Sequence, residues 1–334
     1  MKVFLSHTEA SFPLYFGDRA LAALSRHAEV VRNTTGRDLR GAELAEAAAG
    51  CQAIIAFRGS PGQAATFEAA PDLVAFLRCA VDISTIDVPA ASAQGILVTR
   101  ATPGFVNSVA ELGLGMILGL ARNIASATSQ YHRGQNPEPR PGIELSAASL
   151  GLIGYGRIAR RLAEMARGLG MRVMAHDPAN PPSGDGIGPV GFAEVLQADF
   201  VVCLAASTRE TARMMDADAF AAMRRGAFFI NLARGEVVDE AALEAALDAG
   251  HLAGAAMDVG MAPDQKPSPR LAGRPDVIAT PHIGGLTPQA AEHQAMDTVR
   301  QVADLARGRL PEGAVNAREA HRLSRLGLRT EDAG

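Results

Sequence analysis

The 334 residues carry 32 Lys plus Arg against 36 Asp plus Glu, a formal charge of −4, so composition supplies no basic face of the kind nucleic-acid binding uses. With 48% hydrophobic and 20% charged residues, the chain is too apolar for disorder and long enough for about two domains of roughly 150 residues each. Cys51, Cys79 and Cys203 lie far apart, with no CxxC pair or histidine companions, which argues against a disulfide framework or a metal site and for a reducing cytoplasm. The first residues, MKVFLSHTEASFPLYF, lack the basic start and continuous apolar core of a signal peptide. The longest apolar run, Leu112 to Ala121, is about half a membrane span, so a soluble protein without a membrane partner is expected.

Short apolar runs alternate with helix-like stretches along the chain. KVFL, AEVV, AIIAF, LVAFLRC and GILV in the first hundred residues predict βα units on a parallel sheet. SVAELGLGMILGLARNI at 108–124 predicts an amphipathic helix, and the three prolines of GQNPEPRPG at 134–142 predict an extended surface loop. A second series of strands follows: SLGLIG, MRVMAH, DFVVCLA, GAFFINLA, HLAGAAMDV and DVIAT. Within it, Asp239 with Glu240 predicts a helix start, and Gly250 predicts the glycine just past its end. Two irregular loops, 177–189 and 261–275, follow strand C-terminal ends, where open α/β sheets place their ligands.

SLGLI runs directly into Gly154-Tyr155-Gly156-Arg157-Ile158-Ala159 and then into a helix-like stretch. In that setting Gly154 allows a tight turn, Gly156 lets the backbone approach a pyrophosphate at the helix N-terminus, and Ala159 permits close packing. Tyr155, Arg157 and Ile158 complete the cofactor loop. MRVMAH ends at Asp177, eighteen residues past Ala159, close to the spacing of about 20 at which an acid holds an adenosine ribose. Its carboxylate repels a 2′-phosphate, so NAD is favoured over NADP. A glycine turn in an ordinary βα unit, with a solvated aspartate after it, is the plain alternative.

Three strand ends deliver ionisable residues to one sheet edge: Arg234 after FFINLA, Asp258 after LAGAAM and His282 after IATP. A guanidinium holds a carboxylate bidentately and polarises a neighbouring carbonyl, while an imidazole lends or takes the proton that accompanies hydride transfer. That set suits 2-hydroxy acid chemistry. Taken singly, the arginine also reads as a capping charge and the histidine as a satisfied loop residue.

The runs GLIGYGRIA, NLARGEVVDEAALEAALDAGHLAGAAMDV and TPHIGG, in this order, resemble the D-isomer-specific 2-hydroxyacid dehydrogenases over about residues 80 to 310. The resemblance implies an α/β chain of two Rossmann-like domains, a parallel-sheet NAD-binding domain inserted into a flavodoxin-like substrate domain. Residues 1–102 would form the first part of the substrate domain, 103–281 the NAD-binding domain with a dimerisation arm, and 282–334 the return segment. It further implies NAD as cofactor, a homodimer formed through residues around 107 to 135, and closure of the domains during turnover. The substrate would be a small 2-oxo or 2-hydroxy acid, with hydroxypyruvate or glyoxylate as the first guess. By matching positions, Arg234 would bind the substrate carboxylate and carbonyl, and His282 would be the general acid/base. Asp258 would face the nicotinamide carboxamide, with Ala233, Arg234 and His282 also in the cofactor site.

The chain departs from the family in two places. Family members read D-V-F-x-x-E-P with the glutamate paired to the histidine, whereas here Pro263 stands at the acid's position in Asp258-Val-Gly-Met-Ala-Pro263-Asp264. A carboxylate beside an imidazole favours its protonated form, so keto-acid reduction would suffer first. Asp264 is expected to reach His282 instead; otherwise the histidine acts alone, as in the formate dehydrogenases, which carry a glutamine there. The family's glycine-rich carboxylate-binding loop reads Arg78-Cys79-Ala80-Val81-Asp82-Ile83 here. Amides of Ala80, Val81 and Asp82 are expected to face a carboxylate. The Asp82 side chain faces away, accepts from a polar substrate, or caps its own loop.

Arg58 reads as a second anchor for an acidic or phosphorylated tail, or as a surface charge. Cys79 reads as a small core residue, His132 and His293 as surface or interface residues, and Asn107, Ser108 and Glu111 as capping and packing residues. The chain stops at LSRLGLRTEDAG, too soon for the regulatory domain that some phosphoglycerate dehydrogenases append, so serine feedback is not expected. The rival function is an NAD-sensing, corepressor-like protein with weakened catalysis, which rests on the absent glutamate alone.

Overall fold

The computed structural model of the chain describes residues 1–183 and 186–328. Among them, eleven short strands form two parallel sheets: β1 Lys2–Leu5, β2 Glu29–Arg32, β3 Ala53–Ala56, β4 Ala75–Arg78 and β5 Leu97–Arg100 in one, and β6 Ser149–Ile153, β7 Arg172–His176, β8 Phe200–Cys203, β9 Phe228–Asn231, β10 Gly254–Met257 and β11 Val277–Ala279 in the other. Each apolar run of the sequence yields one strand. β3, β4, β6, β8, β9 and β10 are buried along their whole length, which is why they read as continuous apolar segments rather than alternating ones: helices cover both faces of a parallel sheet.

The first compact unit joins Met1–Gly104 to the chain from Thr287 onward. Its sheet runs β2-β1-β3-β4-β5, the flavodoxin-like order. The return segment is built into this unit. Thr287 caps the helix Pro288–Ala306 by accepting from Ala290 N at 3.2 Å, with proline at the first turn. Ala295, Val299, Val302 and Leu305 of that helix pack into the core with Val3, Leu5 and Leu77. Asn316 Oδ1 accepts from Val98 N at 2.7 Å, fastening the last described turns to β5.

The second unit is Phe105–Leu286. Its sheet runs β11-β10-β9-β8-β6-β7, so the winding reverses beside β6 and the C-terminal end of β6 is a topological switch point. Met116, Ile117 and Leu120 of the helix Val106–Ala121 lie in one core with Leu150, Leu152 and Ile230, and a second core fills the opposite face around Val201, Phe229 and Met257. The helix Glu240–Asp248 starts as expected: Asp239 Oδ1 accepts from Ala241 N and Ala242 N, and Gly250 follows its end in the left-handed region. After a 71° bend, Ile124–His132 buries none of its residues. No single helix among the described residues is long and apolar enough to cross a membrane.

The units divide at Gly104/Phe105 and Leu286/Thr287, a few residues beyond the 102/103 and 281/282 boundaries expected. Local contacts explain both shifts. Gly104 lies against the return helix, where a Cβ would come within 2.5 Å of the His293 side chain, and Asp297 Oδ2 accepts from the Thr102 N–H at 2.7 Å and from its hydroxyl at 2.5 Å, so 102–104 stay with the first unit. Asp258 accepts from Ile283 N and Gly284 N, keeping the His282 turn with the second. The loop at 261–275 holds a short turn, Pro263–Gln265, and the helix Pro269–Ala272. Within the 177–189 loop, residues 184 and 185 lie outside the described residues, as does the chain from 329.

Candidate active site

Gly154 directly follows β6 with φ +87°, and a Cβ there would lie 2.7 Å from Ala205 N, so only glycine fits this turn. At Gly156 a Cβ would meet nothing within 4 Å, so the peptide plane is open on that side. Gly156 also precedes the helix Arg157–Gly168, whose first turn has no side-chain cap. Uncapped N–H groups at the positive end of a helix dipole, beside an open glycine, fit a diphosphate. Tyr155 is buried in the core beneath the loop, so its ring is structural, with the Arg160 guanidinium 5.1 Å from its centroid.

Asp177 directly follows β7 and turns back onto this loop. Its Oδ2 accepts from Tyr155 N at 2.7 Å, and its Oδ1 accepts from Ala179 N at 3.0 Å and Asn180 N at 2.8 Å. Partial burial alone would raise its pKa, but these main-chain donors hold the carboxyl below the usual range. A fixed negative charge therefore stands beside the glycine turn, placed to accept from a ribose hydroxyl and to repel a 2′-phosphate.

Arg234, Asp258 and His282 follow β9, β10 and β11, three strands paired side by side. Buried Asn231 shapes the first turn: its Oδ1 accepts from Ala233 N at 3.0 Å and its Nδ2 donates to Arg234 O at 3.0 Å. Arg234 is thus presented in extended backbone with an exposed side chain, which donates to Ala233 O at 2.8 Å and has no ion pair among the described residues. Asp258 is 3% exposed. An isolated buried carboxylate would cost many kcal/mol, but here Oδ1 accepts from Thr280 Oγ1 at 2.6 Å and Ile283 N at 2.8 Å, and Oδ2 from Gly284 N at 2.8 Å. Those donors take three of about four lone-pair sites, so the principal work of Asp258 is to anchor the His282 turn, with room for one further donor such as a carboxamide.

His282 sits in the left-handed region at φ 59°, a conformation that costs about 1 to 3 kcal/mol. Its N–H bonds to Asp258 O at 2.9 Å and Thr280 O at 3.0 Å, which overdetermine the turn. The ring's Nδ1 lies 2.9 Å from the main-chain carbonyl of Asp264. A carbonyl only accepts, so Nδ1 carries a proton and Nε2 is left to exchange one.

In the first unit, Asp82 Oδ1 accepts from Ser84 N at 2.8 Å, so the carboxylate caps its own loop. Arg78 is 1% exposed and donates to Phe57 O at 2.7 Å and Thr85 Oγ1 at 2.9 Å. Burial lowers its pKa to about 10, opposed by the charge of Asp82, so it stays cationic at neutral pH. Ala80 and Val81 continue from β4, with Ala101 N bonded to Ala80 O. Arg58 is exposed and has no ion pair among the described residues. Cys79 is a core residue, its thiol pushed up to about 12 by burial.

Residues 114–284 match the family described as D-isomer specific 2-hydroxyacid dehydrogenase, NAD binding domain. The chain is 37% identical to (S)-sulfolactate dehydrogenase of Chromohalobacter salexigens over 294 residues, covering 86% of this chain and 95% of that one. The chain belongs to this family. It is also 34% identical to the chloroplastic D-3-phosphoglycerate dehydrogenase 2 of Arabidopsis thaliana over 286 residues, covering 84% of this chain but 46% of the relative, so it spans about half that protein's length. Among solved structures, D-lactate dehydrogenase with NAD+ from Lactobacillus jensenii superposes with a TM-score of 0.82 at 25% identity, covering 94% of this chain and 99% of that one.

Against the family's pattern, the expected substitute for the missing glutamate requires correction. Asp264 does meet His282, but through its main-chain oxygen; its carboxylate is exposed and lies 3.6 Å from Lys266 Nζ. The reason is local. Asp264 adopts φ 59° and ψ 25° inside the short Pro263–Gln265 turn, which presents the carbonyl to the ring while the side chain turns outward. Sequence reasoning also missed Asn231, Thr280 and Gln265. The first two follow the signal that found Arg234 and His282, a polar residue at a strand end; Gln265 carried no such signal.

Proposed function

We propose that this protein is an NAD-dependent oxidoreductase that interconverts a small 2-oxo acid and its D-2-hydroxy acid. The observation that carries the reading is the pinned imidazole of His282, with one exchangeable nitrogen, on the same sheet edge as an exposed, unpaired Arg234. Bound NAD supplies or accepts the hydride. Gly154, Gly156, Arg157 and Ile158 hold its diphosphate with main-chain groups, Asp177 takes the adenosine ribose, and Ala233 and Asp258 line the nicotinamide end. Arg234 binds the substrate carboxylate through paired N–H groups and draws on the oxo oxygen, so negative charge developing there is stabilised. His282 Nε2 gives that oxygen its proton in reduction and takes it back in oxidation, while Nδ1–H stays on the Asp264 carbonyl. Amides of Ala80, Val81 and Asp82 are assigned to substrate binding on the family's precedent.

Hydroxypyruvate or glyoxylate is the first candidate substrate. A 2-oxo acid with an anionic tail is a second, favoured by the unpaired charge of Arg58 and by relatives named for sulfolactate and phosphoglycerate. Association of two copies through Val106–His132 belongs to the proposal, supported by exposed Leu118, Ile124 and Tyr131. A cytoplasmic setting is supported by three free, buried cysteines.

The chain has no tryptophan and three tyrosines, so NADH absorbance is the direct assay. Purified protein with NADH, then NADPH, is offered glyoxylate, hydroxypyruvate, pyruvate, sulfopyruvate and phosphohydroxypyruvate. Oxidation of NADH by one of these, with NADPH much slower, is the expected result. Tight NADH binding with silence across the panel would favour an NAD-sensing protein instead, a reading that draws on the absence, among the described residues, of any carboxylate bonded to His282.

A further inference from the structure

Two departures from the family pattern, Gly260 where it has phenylalanine and Pro263 where it has the acid, fall in one short segment that the structure ties together. A Cβ at Gly260 would lie 2.7 Å from Glu240 Oε1, 2.7 Å from Pro267 Cα and 2.9 Å from Lys266 O, so no phenylalanine fits on this path. Facing it is Gly235, where a Cβ would lie 2.4 Å from the Gly260 carbonyl carbon and oxygen. The two glycines let the segment after β10 lie directly against the segment after Arg234.

Two acids of that second segment then hold the first. Glu240 Oε1 accepts from Met261 N at 3.0 Å, and Glu236 Oε1 accepts from Gln265 Nε2 at 3.0 Å. The turn between these points closes through Gly260 N to Gln265 O at 2.9 Å and Ala262 N to Lys266 O at 3.0 Å. It also requires Asp264 and Gln265 to be left-handed in succession, at φ 59° and 56°. Neither is glycine, so this shape is unfavourable alone and persists because the surrounding bonds impose it.

We propose that Gln265 is the positioning residue that replaces the missing acid. Held by Glu236, it keeps the turn in the shape that sets the Asp264 carbonyl against His282 Nδ1. The inference rests on His282 as the proton-transferring group. An uncharged acceptor fixes the ring orientation and tautomer as a carboxylate would, with the proton on Nδ1 and Nε2 free.

The test uses the full chain labelled with [15N]histidine, without substrate, with the His282 ring resonances assigned by their loss in His282→Gln. In the wild type they should report the Nδ1–H tautomer. In Gln265→Leu they should move to the mixed tautomers of a solvated imidazole, and kcat for 2-oxo acid reduction should fall about tenfold with KM for NADH unmoved. Glu236→Leu should reproduce both effects and carries the test if Gln265→Leu does not fold, whereas Glu236→Gln, which keeps an acceptor for the amide, should retain the wild-type values. An unchanged tautomer and unchanged kcat in folded Gln265→Leu or Glu236→Leu would overturn the proposal. A tautomer that moves with Gln265 in a protein that reduces no 2-oxo acid would support the positioning role and overturn the proposed function instead.

Discussion

Arg78 ends a strand of one parallel sheet and Arg234 lies three residues past a strand of the other, yet Arg78 is 1% exposed with its guanidinium bonded to Phe57 O and Thr85 Oγ1, while Arg234 is exposed and leaves most of its N–H groups without a partner among the described residues. The histidines repeat the contrast. His7, two residues past the end of β1, is fully buried, its ring about 5 Å from the rings of Phe16 and Phe57, and neither ring nitrogen has a partner among the described residues. His282 is half-buried and held at one nitrogen only. Similar positions in two sheets thus hold ionisable groups for different ends. Burial ties the charge of the first edge to the fold, and main-chain support in the second leaves the reactive atoms free.

Arg234→Ala should lower kcat/KM for the 2-oxo acid by about 100- to 1000-fold with the Kd for NADH little changed, as steady-state kinetics and calorimetry would show. A loss confined to NADH binding would assign Arg234 to the cofactor alone. Arg78→Ala should act on stability, by about 2 to 4 kcal/mol, because it leaves a cavity and takes their donor from Phe57 O and Thr85 Oγ1 in the first unit. Urea unfolding followed by circular dichroism measures it, and an unaltered midpoint would remove Arg78 from the structural side of the contrast.

His7 predicts a pH effect. Burial first, and then the charge of Arg32, lower its pKa from 6.5 to about 3, so the folded protein favours the neutral ring. Above about pH 6.5 the ring is neutral in both states and costs nothing. As the pH falls from there toward 3, the unfolded chain binds a proton that the fold excludes, and stability should drop by about 1.4 kcal/mol per pH unit at most. His7→Leu should flatten that part of the stability profile. Smallest of all, Asp177→Ala should raise NADPH use relative to NADH about tenfold by removing one fixed charge from the glycine turn.

Both sheets were legible because buried parallel strands announce themselves as short apolar runs, and the glycine turn, Asp177, Arg234 and His282 were legible because they follow such runs at fixed spacing. What escaped was carried by the main chain. A carbonyl belongs to every residue, so no letter marks Asp264 O as the partner of His282; the letter D pointed to the wrong oxygen of the right residue. Asp258 was legible as an acid at the site, but three donors arriving from Thr280, Ile283 and Gly284 depend on a turn whose shape is set by contacts distant in sequence. The burial of His7 was hidden for the same reason, since Phe16 and Phe57 reach it from separate segments.

The most direct test of the second edge as the chemical one compares wild type and His282→Ala, with NADH binding followed by calorimetry and NADH oxidation by absorbance against the preferred 2-oxo acid. The wild type should turn over, and the variant should bind NADH equally well while losing about 100- to 10,000-fold in kcat, the range spanned by a positioned acid/base group. Turnover that survives in His282→Ala would contradict the account, because the proton would then travel through a group elsewhere.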